Sequence, residues 1–116
     1  MNGWPCDKPE IFIDLESEGL RPDGSVCDSE GYLWNAQYGA SRLARYSPNG
    51  QLDKVIEFPV SQVTCPAFGG DSFNTIFTTS AYQGLSNDNL KSEPLAGMVF
   101  YFQSEIAGLA EYQVKL

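Results

Sequence analysis

The sequence predicts an all-β fold, on three observations. Apolar residues alternate over short runs instead of recurring every three or four positions. Eleven glycines and seven prolines punctuate 116 residues, which favours turns over long helices. The order of strand-like runs also repeats, with YLW at 32–34 and TIF at 75–77 lying 43 positions apart.

Along the chain, EIFIDL (10–15) alternates with Ile11, Ile13 and Leu15 on one face, and predicts a strand. RPDG (21–24) has turn chemistry, because proline presets φ and glycine accepts positive φ. A short strand at 25–28, a turn at 29–31, a second strand at 32–38 and a third at 41–46 follow. SPNG (47–50) carries the Asn-Gly hairpin signal, and 51–58 is a fourth strand ended by Pro59. The pattern recurs with strands at 64–68, 75–80, 97–103 and 109–116. An insertion, 81–96, interrupts this second unit, and within it Ser86 is placed to cap a short helix through Leu90, ahead of Pro94. The repeat puts Trp34 and Phe77 at equivalent core positions, with Tyr38, Phe68, Phe100 and Phe102 in the same core.

The expected organisation is one domain over 1–116, with units at about 21–60 and 61–116 and the extra strand 10–15 ahead of them. Four short strands per unit at a period of about 40–45 residues is the spacing of propeller blades. Two four-stranded units also satisfy a sandwich or a small barrel, and the period alone does not separate these.

Composition removes several functions. The net charge is −8 with only seven basic residues, so there is no basic stripe for nucleic acid or for an anionic membrane surface. Histidine is absent, which excludes a Ser-His-Asp triad, a Cys-His dyad and a histidine-ligated zinc site within the chain. The N-terminal residues show no charged region followed by an apolar one, and no apolar run approaches the roughly 20 residues of a membrane span. An odd count of three cysteines without CxxC spacing fits free thiols in a reducing, cytoplasmic compartment.

Few side chains carry a chemical signal of their own. Asp23 on its residues alone is a turn aspartate, since Pro-Asp-Gly is common turn chemistry. Asp71, Asp88 and their asparagine neighbours lack the spacing of a calcium loop and are expected in solvated loops. Cys27 and Cys65 are expected as small buried hydrophobes, because nothing nearby would lower a thiol pKa. Gly69-Gly70 lacks the lysine and hydroxyl of a phosphate loop and is expected as a turn.

Several phrases together resemble the regucalcin/gluconolactonase (senescence marker protein) family of six-bladed β-propellers, specifically its C-terminal part. They are RPDGS (21–25), DSEGYLW (28–34), SRLARYSPNG (41–50), CPAFGG (65–70), TSA (79–81) and EPLAG (93–97), in the family's order and spacing. The resemblance implies an all-β partial propeller of about two four-stranded antiparallel blades plus one extra strand. It implies a metal-dependent hydrolase of sugar lactones and related esters, with one divalent metal, calcium or zinc, at the top of the central channel. The aspartate of the family's PDG phrase is a metal ligand, which falls on Asp23. The family's other protein ligands, a glutamate and an asparagine, precede the matched segment, as do its substrate-contacting positions. This chain is therefore expected to be inactive alone and to need missing blades or further copies of itself. The alternative is a non-catalytic propeller fragment that self-associates or binds a partner. Catalytic residues are not assigned.

Overall fold

The computed structural model describes residue 5 and residues 7–116. Strands β1 (Pro22–Cys27), β2 (Leu33–Gln37), β3 (Arg42–Tyr46) and β4 (Leu52–Glu57) form an antiparallel sheet in chain order. A second antiparallel sheet follows from β5 (Val63–Gly69), β6 (Thr75–Ser80) and β7 (Val99–Gln103). Tight turns make this order possible. Between β3 and β4, Ser47 N–H donates to Gln51 O at 2.8 Å, and Gly50 sits at φ 80°, where a Cβ would be strained. The short helix α1 (Asn87–Ser92) lies in the insertion between β6 and β7, and Ser86 Oγ accepts from the Asn89 N–H at 3.1 Å as its N-cap.

Register decides which residues make the core. On the first sheet, Val26, Trp34 and Arg45 stand in one cross-strand row, and Ala36, Leu43 and Ile56 in the next row of the same face. Facing them, the second sheet presents Phe68, Ile76 and Phe102 in one row and Pro66, Thr78 and Phe100 in another. The two faces close over Trp34, Ala36, Leu43, Val60, Val63 and Ile76. Phe68 meets the Trp34 ring edge-on at 6.3 Å between centroids. Withdrawing a side chain of this size from water contributes about 2 kcal/mol. The other face of the first sheet is covered by the N-terminal segment, where Leu15 packs on Ala44 and Tyr46 beside Ile13 and Leu20.

Four expectations need correction. Residues 10–15 form no strand. Leu15 and Ile13 turn inward, but Ile11 is 82% exposed and the segment lies across a sheet face with no ladder partner among the described residues. It then tightens into a 3-10 helix, Glu16–Glu18. Residues 109–116 also form no strand, so the second sheet has three described strands where four were expected. The cause lies just upstream: Gly108 bridges Asp28 and donates to Phe73 O, while Ala107 O accepts from Ser29 N–H. The chain is thus drawn across the first sheet's hairpin and away from the edge of β7. The turn expected at 21–24 is instead part of β1, absorbed as a bulge. Finally, Ile76, not Phe77, takes the position equivalent to Trp34. Ile76 is fully buried and Phe77 is 41% exposed on the far face of its sheet. A one-residue slip in a strand reverses every side chain, so a repeat of 43 and a repeat of 42 predict opposite faces.

Candidate functional site

Asp23 stands on β1 at the bulge. Pro22 pairs with Gln37 and Ser25 with Asn35, so Asp23 and Gly24 together oppose the single residue Ala36. The side chain of Asp23 is exposed, and no described hydrogen bond or ion pair engages its carboxylate. Its backbone is tied instead. Asn35 Nδ2 donates to Asp23 O at 3.1 Å and to Ser25 Oγ at 2.9 Å. Gly24 faces the next sheet so closely that a Cβ there would lie 2.6 Å from Cys65 Sγ and 2.8 Å from Thr64 O. Only glycine admits that approach of β5 to the bulge. Asp23, Ser25, Asn35 and Tyr46 share a cavity of about 290 Å³ with Leu33 and Ile13.

As a metal donor Asp23 fits in kind, since it offers a free, exposed carboxylate. It does not make a site by itself. Among the described residues no group of three or more His, Cys, Asp or Glu side chains is placed to hold an ion, and a hard divalent cation takes six or more oxygens. Asp71 and Asp88 lie exposed, as expected of solvated residues. Cys27 and Cys65 depart from expectation: both are free and exposed, Cys27 on the edge strand β1 and Cys65 on the outer face of β5. Cys6 lies outside the described residues.

A heavily bonded group among the described residues is one that the sequence pattern did not single out. Asp28 is fully buried. Its Oδ2 accepts from Trp34 Nε1 at 2.9 Å and from Arg45 Nε at 2.8 Å, and its Oδ1 accepts from the N–H groups of Glu30 and Tyr32. Arg45 continues to Glu30 at 2.7 Å and Asp53 at 2.8 Å, and its guanidinium lies 3.7 Å from the Tyr32 ring centroid. Burial works to raise the Asp28 pKa. The bonds from Arg45, Trp34 and the two backbone N–H groups outweigh it and hold the carboxyl below its usual range. Burial likewise opposes the charge on Arg45, but its three carboxylate partners prevail and raise its pKa further. With every oxygen lone-pair direction engaged, Asp28 is a structural anchor of the β1–β2 hairpin and has no oxygen free for chemistry. The available signal was an arginine two positions from Leu43, on the buried face of a strand, where it requires a carboxylate.

Two antiparallel sheets packed face to face, the second following the first after a short connection, fit adjoining blades of a β-propeller as well as a sandwich, and the solved propeller regucalcin decides for the blades. The matches to known proteins agree. Residues 3–82 match the model of the SMP-30/Gluconolactonase/LRE-like region. The chain is 44% identical over 99 residues to the L-arabinolactonase of Azospirillum brasilense, covering 85% of this chain and 32% of that protein. It is 40% identical over 110 residues to a 6-deoxy-6-sulfogluconolactonase of Pseudomonas putida, covering 95% of this chain and 38% of the relative. The crystal structure of a calcium-binding protein, regucalcin, from Agrobacterium tumefaciens superposes with a TM-score of 0.93 at 38% identity, over 98% of this chain and 39% of that one. The chain belongs to the SMP-30/gluconolactonase/LRE-like family, and it spans about a third of the length of the relatives it matches.

Proposed function

We propose that this chain supplies two adjoining blades of a metal-dependent sugar-lactone hydrolase and contributes Asp23 as one ligand of its divalent ion, calcium or zinc. The remaining donors come from protein outside these 116 residues, and the chain alone is not catalytic. The observation that carries this reading is the state of Asp23. Its carboxylate is exposed and unengaged on a bulge, yet among the described residues it belongs to no group of three or more His, Cys, Asp or Glu side chains placed to hold an ion. The lactonase names of the relatives support the substrate class. A divalent ion bound there would supply Lewis-acid polarisation of the lactone carbonyl. The chain's own part is to hold one carboxylate at a fixed place and to present sheet faces for the neighbouring blades.

A second reading, a non-catalytic self-associating fragment, is favoured by one feature. Phe77, Val99 and Tyr101 leave an apolar outer face on the second sheet, 41%, 61% and 72% exposed. Light scattering and lactonase assays on the same sample, with and without calcium, test both readings. The first expects no turnover by the chain alone, and activity lost in Asp23→Ala once the missing blades are added. Metal-dependent turnover by a verified monomer, lost in Asp23→Ala, contradicts it. Assembly with no activity under any complementation supports the second.

A further inference from the structure

We propose that Asn35 is the positioning residue for Asp23. This rests on the reading of Asp23 as a metal ligand. The bulge leaves Asp23 and Gly24 opposite Ala36 alone, so part of the regular ladder is missing where that carboxylate is mounted. Asn35 replaces it with a side chain. Nδ2 donates to Asp23 O at 3.1 Å and to Ser25 Oγ at 2.9 Å, spanning the bulge from the β2 side. From the other side Thr64 and Cys65 press on Gly24. The backbone carrying Asp23 is therefore held between two blades, and its carboxylate, which no described group engages, takes its direction from that backbone.

The surroundings of the amide identify its role. Asn35 is 4% exposed, and its Oδ1 is enclosed with no hydrogen-bond partner among the described residues. What asparagine adds at this position is the pair of donor bonds to the bulge. Oδ1 is too enclosed to meet a ligand directly, so Asn35 acts through Asp23.

Nitrogen-15 relaxation and side-chain amide exchange on the labelled chain test this. In the unsubstituted protein, the Asn35 side-chain amide protons exchange slowly, and the backbone at Asp23 and Gly24 is as ordered as the flanking strands, with order parameters of roughly 0.85. In Asn35→Leu, Asp23 and Gly24 fall below about 0.6, while Val26 and Leu43 hold their order. Ser25→Ala leaves Asp23 ordered, because the bond to its carbonyl remains. Unchanged order at Asp23 and Gly24 in Asn35→Leu overturns the proposal, and so does loss of order spread over both sheets, which marks a packing role. If the variant does not fold, fast exchange of the Asn35 side-chain amide in the unsubstituted protein still overturns it. The metal reading fails separately, through an Asp23→Ala substitution that leaves ion binding of the completed assembly intact, and that result does not alter the relaxation data.

Discussion

Arg45 Nε and Asp28 Oδ2 meet at 2.8 Å with both side chains withdrawn from water, 4% and 0% exposed. The pair joins the β1–β2 hairpin to β3, two strands along in the sheet. Burying an ion pair is costly, and it survives because the hydrogen bonds around it are complete: Asp28 takes four, and Arg45 adds Glu30 and Asp53. Breaking such a pair costs more than the pair contributes, because one partner is left buried and unmatched. Asp28→Ala should therefore lower unfolding stability by about 3 kcal/mol. The matching Glu30→Ala change, at a carboxylate 55% exposed, should cost less than about 1 kcal/mol. Urea denaturation of both variants, compared at equal m-value, reads the difference. Equal costs would show that burial does not govern this network.

The same carboxylate sets an acid limit. Asp28 has its pKa lowered in the folded state, so it binds fewer protons folded than unfolded in the window between its two pKa values. Its contribution is fully present above the unfolded value of about 4 and is lost as pH falls through the folded value. Stability should fall on acidification below about pH 4, and Asp28→Asn should flatten that fall. The Arg45 shift adds no pH dependence near neutrality, because the group stays charged in both states. A melting series from pH 7 to pH 2 in which both proteins decline in parallel would remove Asp28 from the account.

Gly24 gives a test of how the blades close. A methyl group at this position would meet Cys65 Sγ, Cys65 Cβ and Thr64 O, all inside 3 Å. Gly24→Ala should then cost about 1–3 kcal/mol by forcing β5 away from β1. Adding Cys65→Ala should not restore stability, because Cβ and the Thr64 carbonyl remain in place. Full rescue by the second change would place the whole conflict on the sulfur.

How much of this was readable in the sequence depends on distance along the chain. Turns and caps were legible because their chemistry is local: the 47–50 hairpin and the Ser86 cap appear where Asn-Gly and an N-cap serine put them. β6 appears over the expected residues for a similar reason, as a β-branched run bounded by turns. The face of that strand was not legible, since a repeat read one residue long moved Phe77 into the core in place of Ile76. The end of the chain was not legible either, because the bridge from Gly108 to Asp28 spans 80 positions and leaves no local pattern. At the site, resemblance alone singled out Asp23. The bulge that mounts it and the Asn35 side chain that ties it follow from register between strands, which proline and glycine at 22 and 24 masked as a turn.

The outer face of the second sheet leads to the last expectation. Phe77 and Tyr101 pair directly across β6 and β7, with ring centroids 6.2 Å apart, and Ala67 and Val99 flank them on the same solvent-facing side. The opposite face of this sheet is already filled by its neighbour, so these residues add little to the chain's own folding. Exposed apolar patches of this kind mark association surfaces. The chain should therefore associate as its concentration rises, and the double change Phe77→Ser and Tyr101→Ser should shift it toward monomer. The same change should alter monomer unfolding by no more than about 0.5 kcal/mol, as for surface positions generally. Sedimentation velocity over a hundredfold range of concentration reads the first effect, and urea denaturation of the dilute protein reads the second. A wild-type chain that stays monomeric across that range would leave this face without a partner, and a large loss of monomer stability in the variant would make it part of the core.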